Sequence, residues 1–215
     1  DKLLLISLGK VRNLQGRLIG KMEAMGFSMR EEAMLETLTI DIVKSNEIEG
    51  KLLNSDQVRS SIAKRLGMDI SGLLSFDRDV EGVVEMMLDA TQNYDQRLTK
   101  ERLCNWHAAL FPSGRSGMKK ITVADWRKDK AGPMQVISGP MGKEKVHYQA
   151  PSAAVVEKEI SRFVNWFNNE NNMEPVLKSG LAHLWFITIH PFDDGNGRIA
   201  RAIADMQLAR ADMTH

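Results

Sequence analysis

The stretch HPFDDGNGRIAR, residues 190–201, stands near the C-terminal end of the sequence. It places an imidazole, two adjacent carboxylates, a Gly-Asn-Gly turn and two arginines side by side. A turn at Gly195–Gly197 that opens a helix would point consecutive backbone N–H groups at one anion, and the helix dipole would favour negative charge there. Arg198 and Arg201 are three positions apart, so both project from one face of the first helical turn. The stretch therefore predicts a polyphosphate site.

Two more side chains of this stretch predict chemistry on that polyphosphate. Asp194 supplies the kind of oxygen ligand that Mg²⁺ takes when it also binds phosphates. His190, with an ordinary pKa of about 6.5, can accept a proton from an incoming hydroxyl. A P-loop is excluded, because no Gly-Lys pair is followed by Ser or Thr. Gly195-x-Gly197-x-x-Ala200 fits a dinucleotide-binding fingerprint, but the sequence lacks the other strands of a parallel sheet.

The composition indicates a soluble globular protein without a strong overall field. The net charge is +1, with 29 basic and 28 acidic residues, so nothing points to nucleic acid or a membrane surface as a partner. No apolar run approaches the roughly 18 residues that a membrane span needs. The single cysteine, Cys104, fits a reducing compartment. These features favour a cytoplasmic location.

Upstream of the stretch, most of the sequence predicts helices. Ser28 and Glu31 form a capping box, which predicts a helix from there to Gly50. Apolar periodicity and stop signals predict further helices at about 3–21, 55–67, 79–93, 99–110, 152–169, 175–189 and from the glycine turn to 210. Residues 135–138 and 145–148 read as two short strands around a Gly-Pro-Met-Gly turn. The fold class expected is mainly α with one β-hairpin.

At this point the sequence resembles a known family. HPFDDGNGRIAR matches every specified position of HPFx[D/E]GNGRxxR, the signature of the Fic (filamentation induced by cAMP) domain family. The Trp126-Arg127 segment and the pieces VISG, HYQAP and AHLWFITIHPF are also similar to Fic proteins. The resemblance implies a Fic-type helical bundle with a short hairpin flap. It also implies an N-terminal helical region at 1–67 and a catalytic core at 68–215, which we expect to be truncated at its C-terminal end.

The resemblance also implies a reaction: transfer of AMP from ATP to a Ser, Thr or Tyr hydroxyl of a target protein, with release of pyrophosphate. His190 would be the general base, and Asp194 would hold Mg²⁺ or Mn²⁺. Gly195, Asn196 and Gly197 would contact the phosphates. Arg198 would bind the β-phosphate, and Arg201 would bind the γ-phosphate. The flap residues Val136, Ile137, Ser138 and Gly139 would border the nucleotide and dock the target protein by strand pairing.

A second candidate site lies in the predicted helix that starts at Ser28. Leu35, Leu38, Ile42, Ser45 and Glu49 follow 3-4-3-4 spacing and therefore share one stripe. A carboxylate that ends a buried stripe is costly unless it is paired, and the alternative is a helix end that reaches solvent. SNEIEG, residues 45–50, resembles the Fic inhibitory motif [S/T]xxxE[G/N] of the class with an N-terminal inhibitory helix. This implies that Ser45 and Glu49 are inhibitory residues and that Glu49 pairs with Arg201, which is then unavailable to the γ-phosphate.

Two other functions fit the same residues. The protein could instead remove AMP from a modified protein, with Glu49 positioning water. It could also be a nucleotide-sensing module whose activity is permanently latched. Formation of a homodimer is left open by the sequence.

Overall fold

Eight α-helices make up most of the chain that the computed structural model describes, namely residues 2–68, 72, 74–129, 132–140, 143 and 145–212. The helices are α1 (Lys2–Glu23), α2 (Phe27–Ile48), α3 (Ser55–Arg65), α4 (Arg78–Gln92), α5 (Lys100–Leu110), α6 (Ala153–Asn169), α7 (Pro175–Ile189) and α8 (Asn196–Asp212). Four short strands pair as two hairpins: β1 (Arg115–Ser116) with β2 (Lys119–Lys120), and β3 (Gln135–Ser138) with β4 (Lys145–Gln149). The mainly helical fold class is confirmed.

Helix α8 lies at the centre of the packing and positions the C-terminal stretch. It packs most extensively on α7 and also contacts α4, α5 and α2. Its fully buried positions combine small and larger apolar side chains: Ile199, Ala200, Ala202, Ile203 and Met206. The two alanines let neighbouring helices approach closely, while the larger side chains fill the core between them.

A second close approach joins α4 to α5. A Cβ atom added at Gly82 of α4 would lie 1.8 Å from the carbonyl oxygen of Ala109. Only glycine fits there, because an added side chain would overlap backbone that cannot move away. This contact fixes α5, which in turn carries His107 and leads into Phe111, and both rings reach the functional loop described below.

Helix α2 carries the predicted stripe. Leu35, Leu38, Ile42 and Ser45 are buried as the spacing predicts, and α2 packs on α3, α4 and α8. The predicted start of this helix is wrong, because α2 begins at Phe27 with Gly26 as its N-cap and no side-chain cap. Residues 24–26 alone connect α1 to α2, so the helix starts before Ser28 and places that residue inside its first turn. Glycine tolerates the N-cap position well enough for this.

The other helix boundaries lie close to their predicted positions. Asn54, rather than Ser55, caps α3: its side-chain oxygen accepts from the N–H groups of Asp56 at 2.9 Å and Gln57 at 3.1 Å. Thr99 caps α5 by accepting from the N–H of Arg102. Pro175 occupies the first turn of α7, where its missing N–H costs nothing.

The flap is the antiparallel pair β3–β4. Gln135 pairs with Gln149 and Ser138 with Lys145, and the register shifts between Val136 and Ile137. The tip of the predicted turn, Met141 and Gly142, lies outside the described residues. Tyr148 ties the flap to the helical body, because its hydroxyl donates to the carbonyl of Thr188 at 2.6 Å. The β1–β2 hairpin was not predicted from the sequence.

Helix α1 is the least packed element. None of its described residues is buried, and Arg12 forms an ion pair with Glu174 at 2.7 Å. Its apolar residues Leu3, Leu5 and Leu14 are more than half exposed. A search of the described helices found none with the length and apolar character needed to cross a membrane.

Candidate functional site

His190 ends α7 in a left-handed conformation, with φ 51° and ψ 59°. Its N–H donates to the carbonyl of Phe186 at 3.1 Å. Its Nδ1 lies 3.3 Å from the carbonyl of Ile187. A carbonyl only accepts, so this contact requires a proton on Nδ1 and leaves the lone pair on Nε2. Burial lowers the pKa of His190, and the charge of Arg127 acts in the same direction. The imidazole is therefore a neutral proton acceptor at neutral pH.

Arg127 clamps the main chain around His190. Its guanidinium Nε donates to the carbonyl of His190 at 2.7 Å, and its own N–H donates to the carbonyl of Pro191 at 2.8 Å. The same side chain pairs with Asp129 at 2.5 Å and donates to the carbonyl of Pro151 at the base of the flap. Arg127 is 3% exposed. The buried side chain of Arg127 thus links the base of the flap to the loop between α7 and α8.

The loop between α7 and α8 is closed by the side chain of Asn196. Its Oδ1 accepts from the N–H of Phe192 at 3.0 Å, and its Nδ2 donates to the carbonyl of Phe192 at 2.9 Å. Phe192 is fully buried and anchors this loop. The amide of Asn196 is therefore used inside the loop, and only its backbone N–H remains for an anion.

Asp194 is held as an ionised carboxylate at the edge of the loop. Its Oδ2 accepts from the hydroxyl of Ser116, and its Oδ1 accepts from the N–H of Gly195 at 2.6 Å. Burial opposes ionisation, but these hydrogen bonds and the charge of Arg198 outweigh it and lower the pKa of Asp194. Asp193 has a separate role, because it accepts from the N–H of Thr122 at 2.8 Å. The two adjacent carboxylates are therefore not equivalent.

His107 supports the loop from below. Its ring stacks on Phe192, with centroids 4.1 Å apart and 8° between the planes. Nδ1 accepts from the N–H of Ala124 at 3.2 Å, so Nε2 carries the proton and donates to the carbonyl of Asp194 at 3.2 Å. Burial lowers the pKa of His107 to about 4, which keeps this donor and acceptor pattern across the neutral range. His107 is thus a structural support of the loop.

The two glycines of the turn leave space for their neighbours at the start of α8. Gly195 has φ +80°, and an added Cβ would lie 2.8 Å from the ring of Phe111. At Gly197 an added Cβ would lie 2.1 Å from Oε1 of Glu49. The backbone N–H groups in the first turn of α8 have no acceptor within the helix. The missing side chains leave this helix end open to a negatively charged group.

Arg198 is a buried cation with incomplete hydrogen bonding. The residue is 2% exposed, and its Nε is buried without a hydrogen-bond partner. Its guanidinium carbon lies 5.0 Å from the centroid of the Phe111 ring. An orphaned donor on a buried cation is costly unless an anion satisfies it. The side chain is therefore suited to bind an anion at the start of α8.

Arg201 is engaged by the end of α2. Its Nε donates to the hydroxyl of Ser45 at 2.7 Å, and its Nη2 donates to the carbonyl of Ser45 at 2.8 Å and to Oε1 of Glu49 at 2.7 Å. The Glu49 side chain is 31% exposed, so the ion pair lies at the mouth of the site. The contact implied by the sequence resemblance is present. The carboxylate of Glu49 thus lies beside Gly197 at the start of α8.

The flap residues are less closely joined to this cluster. Ser138 Oγ lies 2.6 Å from Nε2 of His147, within the hairpin. Val136, Ser138 and Gly139 are exposed, and only the backbone of Ile137 is described. Among the described residues, no hydrogen bond joins Val136–Gly139 to the loop at 190–201. The flap reaches the site through Arg127 and Tyr148.

A divalent cation would find one carboxylate here. Within the described residues, no group of three or more His, Cys, Asp and Glu side chains could hold a metal by itself. Mg²⁺ commonly uses one or two carboxylates and takes its other ligands from phosphates and water. An ionised Asp194 beside an anion cradle fits that donor set. The site therefore fits a metal that arrives with a phosphate ligand, and it does not fit a cage made by protein alone.

Several residues of the site were not predicted from the sequence. Arg127, His107 and Ser116 contact the loop from 63, 87 and 78 residues away in the sequence, respectively. Only the Trp126-Arg127 piece of the resemblance pointed near one of them. Lone residues of these types carry no local signal, because their roles arise from tertiary contacts.

Comparisons with known proteins agree with this geometry. Residues 97–208 match the Fic/DOC family, and residues 1–68 match a domain of unknown function, DUF4172. The protein adenylyltransferase fic-1 of Caenorhabditis briggsae is 26% identical over 180 residues, covering 83% of this chain and 33% of that protein. The protein adenylyltransferase Fic of Nematostella vectensis is 21% identical over 224 residues, covering 95% of this chain and 47% of that protein. The chain spans less than half the length of these curated relatives.

Solved structures share the fold. A Fic-domain signalling protein from Bacteroides thetaiotaomicron superposes with a TM-score of 0.67 at 21% identity, covering 91% of this chain and 72% of that chain. Fic-1 from C. elegans superposes with a TM-score of 0.62 at 20% identity, covering 96% of this chain and 59% of that chain. At these identities the likeness shows the fold alone.

Proposed function

Because this chain belongs to the Fic/DOC family, we propose that it is an autoinhibited protein adenylyltransferase, which transfers AMP from ATP to a hydroxyl of a target protein. The observation that carries the proposal is the buried guanidinium of Arg198 at the start of α8, whose Nε has no hydrogen-bond partner. The family relatives that are named protein adenylyltransferases support the same reaction. The target hydroxyl would belong to Ser, Thr or Tyr.

In the proposed step, His190 Nε2 removes the proton of the target hydroxyl. The hydroxyl oxygen then forms a bond to the α-phosphorus, and the bond from that phosphorus to the α–β bridging oxygen breaks. Pyrophosphate leaves with the electron pair of that bond. The neutral tautomer of His190, set by its contact with Ile187, supports this role.

The phosphates would lie along the start of α8. The backbone N–H groups of Asn196 and Gly197 and the side chain of Arg198 would hold the β-phosphate, and Arg201 would hold the γ-phosphate. Asp194 would hold a Mg²⁺ or Mn²⁺ ion together with phosphate oxygens, and the ion would supply positive charge that offsets the negative charge of the leaving group. Gly195 would contribute shape rather than a hydrogen bond, because its N–H already donates to Asp194.

Autoinhibition would follow from competition for one guanidinium. Glu49 Oε1 lies 2.7 Å from Nη2 of Arg201 and occupies the space beside Gly197. A γ-phosphate would need the same donors, and Arg201 cannot make full contacts with both anions. Ser45 supports the closed arrangement, since it takes two hydrogen bonds from Arg201.

The target protein would dock on the flap. Strand β3 pairs with β4 on one side only, so its other edge is open for an added strand. Val136 and the backbone of Ile137, Ser138 and Gly139 would form this edge, next to the nucleotide. The exposed flap side chains support such a contact.

A second reaction at the same site is favoured by one observation. Oε2 of Glu49 makes no hydrogen bond to any described residue, and the side chain is partly exposed. A carboxylate oxygen in that state can orient water toward a phosphorus. The protein could therefore also remove AMP from a modified target.

Transfer of label from α-labelled ATP tests the proposal. The samples are the wild type, Glu49→Gly, and Glu49→Gly combined with His190→Ala, each with Mg²⁺ and with a lysate or purified targets. We expect Glu49→Gly to label protein about 10- to 1000-fold more than the wild type, if the open form is about 0.1–10% populated. Adding His190→Ala should lower this by about 10²–10⁴.

The other outcomes separate the alternatives. Release of label from a modified target by the wild type, but not by Glu49→Gly, would support AMP removal. ATP binding without any labelling or release, in all three proteins, would support a sensing module. Equal labelling by folded wild type and Glu49→Gly would contradict autoinhibition, and Glu49 would then be an ordinary helix-end carboxylate.

A further inference from the structure

Lys51 follows the inhibitory glutamate by two positions and enters the same site. Helix α2 ends at Ile48, and Gly50, two positions later, has φ +71° and donates its N–H to the carbonyl of Glu47 at 2.9 Å. The N–H of Lys51 then donates back to the carbonyl of Asn46 at 3.0 Å. This glycine-based stop reverses the chain tightly. As a result Glu49 and Lys51 both lie close to the start of α8.

The ring of Phe111 marks where the Lys51 side chain ends. Lys51 Nζ lies 5.2 Å from the ring centroid, and the guanidinium carbon of Arg198 lies 5.0 Å from the same centroid. The ring also borders Gly195, since an added Cβ there would lie 2.8 Å from its Cε2. One aromatic ring beside the anion cradle therefore carries two cations.

Neither cation is neutralised by a direct partner. The Lys51 ammonium makes no hydrogen bond or ion pair with any described residue, and the buried Nε of Arg198 has no hydrogen-bond partner. Burial lowers the pKa of Lys51, and the positive charge of Arg198 lowers it further against the opposing charges of Asp194, Asp79 and Glu49. A buried and a partly buried cation that lie near each other are unfavourable unless an anion neutralises them. The arrangement is suited to a multiply charged anion.

We propose that Lys51 is a phosphate ligand of the nucleotide, which binds the β- and γ-phosphates of ATP and the departing pyrophosphate together with Arg198. This inference rests on the proposed adenylyltransfer, and it adds a residue from the inhibitory turn to the binding machinery. The turn then has two opposed effects: Glu49 repels the polyphosphate, and Lys51 attracts it. Lysine suits this position, because a flexible ammonium can follow the phosphates as the bond to the α-phosphorus breaks.

The test compares nucleotides that do and do not carry these phosphates. In the Glu49→Gly background, the affinities of ATP, pyrophosphate and AMP are measured by calorimetry for Lys51→Met, Lys51→Arg and the parent. We expect Lys51→Met to weaken ATP and pyrophosphate about 10- to 100-fold, as for a lost hydrogen bond to a charged group, with AMP within about twofold. Lys51→Arg should recover most of the affinity.

Lys64→Met is the matched control, because Lys64 Nζ lies 5.4 Å above the ring of Phe76, far along the chain from the cradle. It should change none of the three affinities. An unchanged ratio of ATP to AMP affinity in Lys51→Met would overturn the inference, whether both affinities are retained or both fall by the same factor. Failure of the Glu49→Gly parent itself to bind ATP would instead overturn the proposed function.

Discussion

The main chain of His190 is held in place by a guanidinium that lies 63 residues earlier in the sequence. A left-handed conformation costs a residue other than glycine about 1–2 kcal/mol. Here the carbonyl of His190 accepts from the guanidinium of Arg127, and the carbonyl of Pro191 accepts from the backbone N–H of Arg127. The orientation of the proposed base therefore depends on a residue that does not touch the proposed substrate.

Replacing Arg127 with Met should slow transfer more than it weakens ATP binding. In the Glu49→Gly background we expect the rate to fall about 10- to 100-fold, because a misplaced base loses its near-attack geometry. The pH dependence should also change. Burial and the charge of Arg127 lower the pKa of His190, so removal of that charge raises it. Activity should then be lost at a higher pH on the acidic side of the profile.

The control is Lys128→Met, which removes an exposed cation from the neighbouring position. It should shift neither the rate nor the profile. A fall in rate with an unmoved acidic limb would contradict the effect of Arg127 on the pKa of His190, and an unchanged rate would contradict its positioning role. Rates and profiles measured with α-labelled ATP, together with melting curves, distinguish these results.

The residues that the sequence identified share a property that the missed ones lack. His190, Asp194 and Arg198 stand close together in the sequence, so their spacing alone indicates a common task. Arg127, His107 and Lys51 reach the site through the packing of separate elements, and each alone is an ordinary basic residue. Burial and tertiary contacts, which spacing does not encode, give them their roles.

At the scale of elements, the interface of α2 with α8 holds opposed electrostatic contacts. Glu49 pairs with Arg201 at one end. Asp41 lies one helical turn before Ser45 in α2, and Asp205 lies one helical turn after Arg201 in α8. Burial, and then the charge of Asp41, raise the pKa of Asp205 to about 6, with Arg201 opposing. The Glu49–Arg201 ion pair thus stabilises the contact of α2 with α8, whereas the charge of Asp41 disfavours ionisation of Asp205 at the same interface.

Asp205→Asn should stabilise the protein at pH 8 and not at pH 4. A folded pKa raised above the ordinary value means that stability is fully present below about 3.9 and is lost as pH rises through about 6. Asparagine carries no charge, so it should recover on the order of 1–3 kcal/mol at pH 8. Urea unfolding at the two pH values measures the difference.

The exposed Asp95→Asn serves as the control for loss of one negative charge. A gain for Asp205→Asn that is the same at pH 4 and pH 8 would contradict the electrostatic account. The variant would then act through packing or hydrogen bonding.

Local signals located most elements but not all of their ends. Pro175 and the apolar run after it predicted α7, and the Gly-Pro-Met-Gly turn with its short flanking segments predicted β3 and β4. Ser28 failed as a cap because the three-residue connection from α1 left Gly26 in that position. Strands β1 and β2 have two residues each, too short for alternation to be visible. The errors lie where neighbouring elements, rather than local preference, decide a boundary.

At the scale of the whole molecule, packing is uneven. Helix α8 contains five fully buried residues in its first eleven positions, whereas α1 has none among its described residues. Regions with few buried contacts open locally at low free-energy cost. The site is built from the tightly packed part, and α1 lies outside it.

Amide hydrogen exchange should therefore be faster in α1 than in α8. We expect the backbone amides of α1 to exchange at least about tenfold faster than those of α8, since one order of magnitude corresponds to only about 1.4 kcal/mol. Mass spectrometry of peptides from both helices, at two protein concentrations, provides the measurement. Equal protection at both concentrations would contradict the prediction, and protection of α1 at high concentration only would indicate a contact with a second copy.

The space beside Gly197 also limits which substitutions can release the proposed autoinhibition. The Glu49 carboxylate fits there because position 197 has no Cβ, which would lie 2.1 Å from Oε1. The proposed phosphate requires the same gap. A side chain at position 197 that displaces the Glu49 carboxylate therefore also blocks the proposed phosphate position. Regulation and activity are then lost together. Constitutively active variants should arise in the segment 45–50 and be absent from the glycine turn.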